Sequence, residues 1–140
     1  MDKRISSRAI IINDGCLLTM FRRKIKDGKI KEYYVIPGGG LEENESLEEN
    51  VIRELKEEFS VNVEVLGFLG KEEYENTIEY YFHCKIVGGT LALGGPEKDR
   101  ISEDNYYEIR NIKLENLDKI DINAKDKVKM AISHEYVELK

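Results

Sequence analysis

The chain has only two cysteines, Cys16 and Cys84, each beside apolar or aromatic residues and far apart in sequence. Such spacing reads as two buried thiols and rules out a disulfide framework, which suits a reducing cytosol. Basic residues are outnumbered as well: 22 Lys and Arg face 28 Asp and Glu, a formal net charge of -6. No overall positive field is present to draw the molecule onto polymeric nucleic acid or an anionic membrane, so neither is an expected partner. No apolar run is long enough for a membrane span or a signal peptide: the stretch Ala9–Ile12 is interrupted at Asn13-Asp14-Gly15. The expected location is the cytoplasm. Histidine is scarce too. His83 and His134 are the two present, and neither has a nucleophile near it in sequence, which makes a Ser-His-Asp arrangement a poor reading. There is no internal repeat, low-complexity tract or linker, and a length of 140 residues with 41% hydrophobic content supports one domain over residues 1–140.

What is present reads first as sheet. The β-rich runs Arg8–Ile12 and Cys16–Phe21 flank an Asp-Gly pair and predict an opening hairpin. Residues 22–31 read as a polar, basic loop around Asp27-Gly28, followed by a short strand, Glu32–Ile36, that ends at Pro37. Further strands are expected over 61–69, 77–87, 90–93 and 106–114, with a polar loop over 94–105. A short helical turn over 115–121 and an amphipathic helix over 126–137, with Val128, Ile132 and Tyr136 inward, should close the chain.

The most informative stretch is the helix predicted after Ser46. Ser46-Leu47-Glu48-Glu49 has the Ser-x-x-Glu form of a capping box, and Leu47, Val51, Ile52, Leu55 and Phe59 then recur as an apolar stripe. Away from that stripe, Glu54, Glu57 and Glu58 stand at i, i+3 and i+4 and share a face. Each like-charged pair costs a free helix roughly 0.2–0.5 kcal/mol, and no lysine follows four residues after Glu58 to relieve it. A bound cation would. Hard oxygen ligands suit magnesium or manganese, whereas zinc would want the histidine or cysteine that this helix lacks. Ahead of the helix, Gly38, Gly39 and Gly40 form a backbone that can approach a ligand closely.

These residues carry a family pattern. Gly39, five residues, Glu45, seven residues and then Arg53-Glu54-Leu55-Lys56-Glu57-Glu58-Phe59-Ser60-Val61 resembles the Nudix box, Gly-x5-Glu-x7-Arg-Glu-U-x-Glu-Glu-x-Gly-U, where U is a bulky aliphatic residue. The single departure is Ser60 in place of glycine, at a position that resembles a left-handed helix exit and costs a serine about 1–2 kcal/mol.

The resemblance, to MutT-like Nudix hydrolases, implies an α+β fold, an α/β/α sandwich in which a mixed sheet lies between the box helix and a C-terminal helix. It implies magnesium-dependent (alternatively manganese-dependent) hydrolysis of a diphosphate linkage in a small nucleotide-like substrate. A nucleoside or deoxynucleoside triphosphate leads, with a sugar nucleotide or dinucleotide as the alternative and a non-catalytic binding module behind them. Carried over by position, Glu57 and Glu58 would be the main metal ligands, with the Gly39 carbonyl or its neighbour as another. Glu54 would hold a second metal or activate the attacking water, and the sequence does not separate those roles.

Arg53, Glu45 and Gly38 would support the site structurally, Arg53 by pairing with Glu45 or with a glutamate of its own helix. An extra carboxylate ligand is expected from a late loop, with Glu97, Glu103 and Asp104 as candidates and Glu103 preferred. Arg22 and Arg23 would grip phosphate, and Phe21, Tyr33, Tyr34, Tyr80 and Tyr81 are candidates to stack a base. The resemblance is also compatible with a homodimer.

Overall fold

A computed structural model describes residues 3–94 and 101–139. Strands β1 (Arg4–Asn13) and β2 (Cys16–Lys26) form the expected hairpin, with Asp14 and Gly15 both at positive φ (52° and 73°). Two successive positive φ values match the right-handed twist of the flanking strands. The same device recurs at Asp27 and Gly28 (φ 53° and 75°). The basic segment expected as a loop is therefore a second hairpin, joining β2 to β3 (Lys29–Val35) with Lys24 opposite Lys31 and Lys26 opposite Lys29. Its Asp-Gly turn outweighs the polarity that suggested a loop.

After β4 (Gly38–Gly40) and helix α1 (Leu47–Phe59) come β5 (Val61–Glu73), β6 (Thr77–Gly89) and β7 (Asn105–Lys113), then a 3-10 turn over Leu114–Lys119 and helix α2 (Lys125–Ile132). The sheet has seven strands in the order β3-β2-β1-β6-β5, with β4 also paired to β1 and β7 to β2. The β1–β6 pairing is parallel and the others antiparallel, a mixed sheet as expected. β1 and β2 pair only next to their turn, at Ile12–Leu17 and Asn13–Cys16. Beyond that they part, β1 pairing with β4 and β2 with β7, and the opening between them is where the site lies.

Alternation along the strands divides the apolar residues between two cores. Ala9, Ile11, Leu18 and Met20 pack with Val51, Leu55 and Phe59 of α1, whereas Ile10, Leu17, Leu69 and Tyr81 pack with Val128 and Ala131 of α2. The sandwich is thus α/β/α.

Helix α1 begins as read. Ser46 Oγ accepts from the Glu49 amide at 3.0 Å, and Glu49 Oε1 accepts from the Ser46 amide at 2.9 Å. It ends at Ser60, in left-handed geometry (φ 62°, ψ 28°), as the resemblance implied for this position. Its stripe is rotated from the expected one. Ile52 is 40% exposed, and the buried flank beside Val51 and Leu55 is taken by Asn50 and Glu54, because the backbone of β4 lies there and offers polar partners.

Three other expectations are corrected. Residues 90–93 are not a strand: the Ala92 and Gly94 amides donate to the Phe59 and Glu58 carbonyls (3.1 and 2.9 Å), capping α1. Helix α2 stops at Ile132, which is 47% exposed, and the tail turns at His134 (φ 53°) to cross β5, where Val137 donates to the Phe68 carbonyl at 2.9 Å. Tyr136, at the surface, stands over Gly67. Cys16 is partly exposed rather than buried. Cys84 is buried, its thiol pushed up to about 12 by burial, and both are free. No helix among the described residues is long and apolar enough to cross a membrane.

Candidate active site

One guanidinium organises the approach to the site. Arg53, on α1, donates to Glu45 through Nε and Nη2 (2.6 and 3.1 Å), a two-pronged bond that matches the planar fork to a carboxylate. Its Nη2 also donates to the Gly40 carbonyl at 3.0 Å, and its Nη1 lies 3.1 Å from both Glu54 Oε1 and Glu57 Oε2. A single side chain therefore ties the loop before the helix, the end of β4 and two glutamates of α1 together. The guanidinium holds the Glu45 carboxyl below the usual carboxylate range, and Glu45 raises Arg53 in return. Asn50, fully buried, adds a bond from Nδ2 to the same Gly40 carbonyl at 3.1 Å.

The strand so fixed is pressed against the carboxylates. A Cβ on Gly39 would stand 2.5–2.6 Å from the carboxyl atoms of Glu54, and a Cβ on Gly40 would meet Arg4 Nη2 at 2.8 Å. Glu54 is 7% exposed, Glu57 is exposed beside Arg53, and Glu58 lines a cavity of about 230 Å³ with Gly38 and Gly39. Arg4, Arg8, Arg22 and Tyr107 line the same cavity, Arg8 being paired with Glu79 at 3.0 Å. Arg22 donates from Nη2 to the Tyr107 hydroxyl at 2.8 Å and stacks on that ring at 4.6 Å. Its buried Nε has no partner among the described residues.

Several expected residues are not brought here. Arg23 alternates to the opposite face of β2, over Tyr106 at 5.1 Å, and does not line the cavity. Glu103 and Asp104 are exposed in the turn closed by the Ser102–Asn105 pair and do not line it either, while Glu97 lies outside the described residues. Of the aromatic candidates, Phe21 lies beneath Arg110 at 3.8 Å and Tyr80 packs on Phe68. Tyr33, Tyr34 and Tyr81 instead line a second cavity of about 260 Å³, with Tyr74, Asp121 and Asn123. The two cavities share Arg8, Val35 and Ile36.

Reading the sequence missed Arg4, Arg8, Asn50 and Tyr107. Only Asn50 left a signal, as a polar residue one turn before Glu54. His83 is buried and bonded through Nδ1 to the Tyr136 hydroxyl at 2.9 Å, away from the carboxylates.

Among the described residues no three His, Cys, Asp or Glu side chains are gathered as a ready-made cation site. The donors at hand are nonetheless all hard oxygens, carboxylates against glycine backbone, as magnesium or manganese requires. Gly39 leaves no room for a side chain between that backbone and Glu54.

The fold and this array define an α+β domain with an acidic helix face beside an arginine-lined recess. The family model described as NUDIX domain matches residues 2–130, and the chain belongs to the Nudix family, whose hydrolases act on phosphorus-containing anhydrides and generally use divalent cations. A protein named ADP-ribose pyrophosphatase from Methanocaldococcus jannaschii is 29% identical over 109 residues, covering 74% of this chain and 60% of its own length. A Caenorhabditis elegans protein named as a nudix hydrolase is 27% identical over 131 residues, 90% of this chain and 33% of its own. The chain thus spans between a third and three fifths of these relatives. A MutT Nudix hydrolase from Burkholderia pseudomallei has the same fold (TM-score 0.70, 19% identity, 95% of this chain and 98% of that one). So has an ADP-ribose pyrophosphatase from Streptococcus suis (TM-score 0.66, 17% identity, 99% and 96%).

Proposed function

We propose that the chain hydrolyses a diphosphate linkage in a nucleoside diphosphate derivative with the help of magnesium, manganese being the alternative. The observation that carries this reading is the Arg53 tether, which holds Glu45, Glu54, Glu57 and the Gly40 carbonyl in one array beside the recess lined by Glu58 and Gly39. Glu57, Glu58, Glu54 and the Gly39 carbonyl are the residues that would hold the cation. When bound, it would offset charge on the phosphate oxygens and lower the pKa of a water.

The protein side of the reaction follows from placement. Arg22 and Arg4 bind the anionic end of the substrate and orient one phosphorus toward the carboxylates, while Arg8 is held by Glu79 at 3.0 Å and by the Ile36 carbonyl at 2.9 Å. Water forms the new P–O bond, the bridging P–O bond breaks, and a carboxylate of α1 takes the proton of the attacking water. Gly38 and Gly39 line the recess without side chains that would hold substrate away.

A nucleoside or deoxynucleoside triphosphate is the leading substrate, because one tyrosine-lined cavity adjoins the phosphate recess: room for one base beside one phosphate chain. The Methanocaldococcus relative favours a second reading, ADP-ribose or another nucleotide joined to a second group.

The test is a turnover panel with magnesium over nucleoside triphosphates, dinucleotides, ADP-ribose and sugar nucleotides. Wild type should turn over at least one of them. Glu58→Gln should lose on the order of a hundredfold or more while keeping its circular dichroism spectrum. Tight binding of one compound with no turnover of any would make the protein a binding module instead.

A further inference from the structure

The net charge of -6 conceals a local field of the opposite sign. Residues 22–31 hold six Lys and Arg against one Asp, and they form the β2–β3 hairpin. Cross-strand partners share a face, and so do alternate residues along a strand. Arg22 is paired with Tyr33, Lys24 with Lys31 and Lys26 with Lys29, so all five cations and Tyr33 occupy one face of the ribbon. Arg22, at its inner end, lines the carboxylate cavity. The four lysines are exposed, and none makes an ion pair among the described residues.

Placing like charges directly opposite one another destabilises a hairpin, and here it is done twice in succession. Lysines on an edge strand commonly block edge-to-edge association, which would account for Lys29 and Lys31 on β3. It does not account for Lys24, which lies within the β2–β7 pairing. There the strand is interior: β3 covers one side, while on the other Asn105 pairs with Lys24 and the Asp104 carbonyl accepts from the Ile25 amide at 2.9 Å. The pleat spaces Arg22, Lys24 and Lys26 by ~6.6 Å, a run of ~13 Å, with Tyr33 between Arg22 (5.6 Å) and Lys31 (5.2 Å) at the cavity end. A cation at every second residue beside an aromatic ring is a surface on which a single strand of nucleic acid lays its phosphates and stacks a base.

We propose that this face of the β2–β3 ribbon docks a single-stranded nucleic acid, backbone phosphates on the lysines and one end reaching the recess at Arg22. The contact of that end with the recess rests on the hydrolase reading above; docking along the ribbon does not. For this one surface the proposal departs from the expectation, drawn from whole-chain charge, that no polymeric nucleic acid binds.

Anisotropy of a 3′-labelled, 5′-hydroxyl single-stranded RNA 12-mer, titrated with full-length protein across a salt series, tests it. Wild type should bind at about 50 mM salt, and log K should fall linearly with log salt. The triple variant Lys24→Gln, Lys26→Gln, Lys29→Gln should bind at least roughly tenfold more weakly, with a slope shallower by about 2, near 0.7 per lost phosphate contact. Its melting temperature should be equal to or above that of wild type, since the opposed lysine pairs are relieved, its small-substrate turnover should match wild type, and the control Lys56→Gln, Lys119→Gln, Lys125→Gln should bind as wild type does. No wild-type binding, or a triple variant with unchanged affinity and slope, overturns the proposal. So does displacement of the RNA by inorganic polyphosphate at lower phosphate concentration than by unlabelled RNA. Loss of small-substrate turnover from every preparation, with lysine-dependent RNA binding intact, would count against the hydrolase reading and for the ribbon.

Discussion

Replacing Arg53 with alanine would test the site most directly, because so many contacts converge on one side chain. Arg53 is 20% exposed, and the carboxylates it faces on Glu45 and Glu54 are 11% and 9% exposed. The variant leaves both without that guanidinium and removes one of the two donors to the Gly40 carbonyl. A hydrogen bond to a charged group contributes about 1.5–3 kcal/mol, and stripping one partner from a fully buried pair costs about 3–5. For a pair that touches solvent, a loss of about 2–4 kcal/mol is expected. At about 3–5 °C per kcal/mol for a domain of this size, the melting temperature should fall by about 6–20 °C. A pH series sharpens the test. Glu45 titrates below its ordinary value in the folded protein, so its contribution is complete above about pH 4.3 and is lost as pH falls through the depressed value. The gap between wild type and Arg53→Ala, measured by calorimetry, should therefore narrow as pH falls below about 4.3. Arg53→Lys should recover only part of it, since an ammonium cannot reproduce the fork. A fall of less than about 2 °C at neutral pH, or a gap of constant size down to about pH 3, would refute this account of the tether.

Three further outcomes follow from local geometry. Gly39→Ala drives a methyl group into the Glu54 carboxylate and should cost about 1–3 kcal/mol in denaturant melts, with turnover down more than about tenfold in protein that is still folded. Ser60→Gly relieves the left-handed exit of α1 and gives up only an exposed bond to the Ala92 carbonyl; a net gain of about 0.5–1 kcal/mol is expected, and a loss would show that this bond outweighs the backbone strain. Burial, helped by His134, lowers the pKa of His83. Its contribution to stability should be complete above about pH 6.5 and decline as pH falls through the depressed value, a limb of the melt series that His83→Asn should flatten.

The sequence yielded helix α1 almost whole, because its cap, period and charge face are all local. Ser46 with Glu49, the Val51-Leu55-Phe59 ridge and Ser60 need no tertiary information. The rotation that buries Glu54 and exposes Ile52 depends on where β4 lies, which no period encodes. The hairpin at Asp27-Gly28 carried a legible turn signal, overshadowed by the lysines around it. Arg23 was misplaced because adjacent strand residues point to opposite faces, so only one arginine of the pair can reach the recess. Arg4, Arg8 and Tyr107 converge from β1 and β7, far apart in the chain, and only the strand order brings them together.

The all-glycine strand β4 has a consequence for how this enzyme class could change. A methyl group at Gly38, Gly39 or Gly40 would collide respectively with the Ser7 carbonyl, the Glu54 carboxylate or Arg4. Gly38 is closed to any side chain by that backbone contact, whereas a side chain at Gly39 or Gly40 would have to displace the end of Glu54 or Arg4, so this rim of the recess presents only amides and carbonyls for as long as those two side chains keep their places. On the proposed function, substrate preference would drift through the walls around it, at Arg4, Arg22, Tyr107 and the tyrosines of the adjoining cavity, more readily than through the strip of main chain between them.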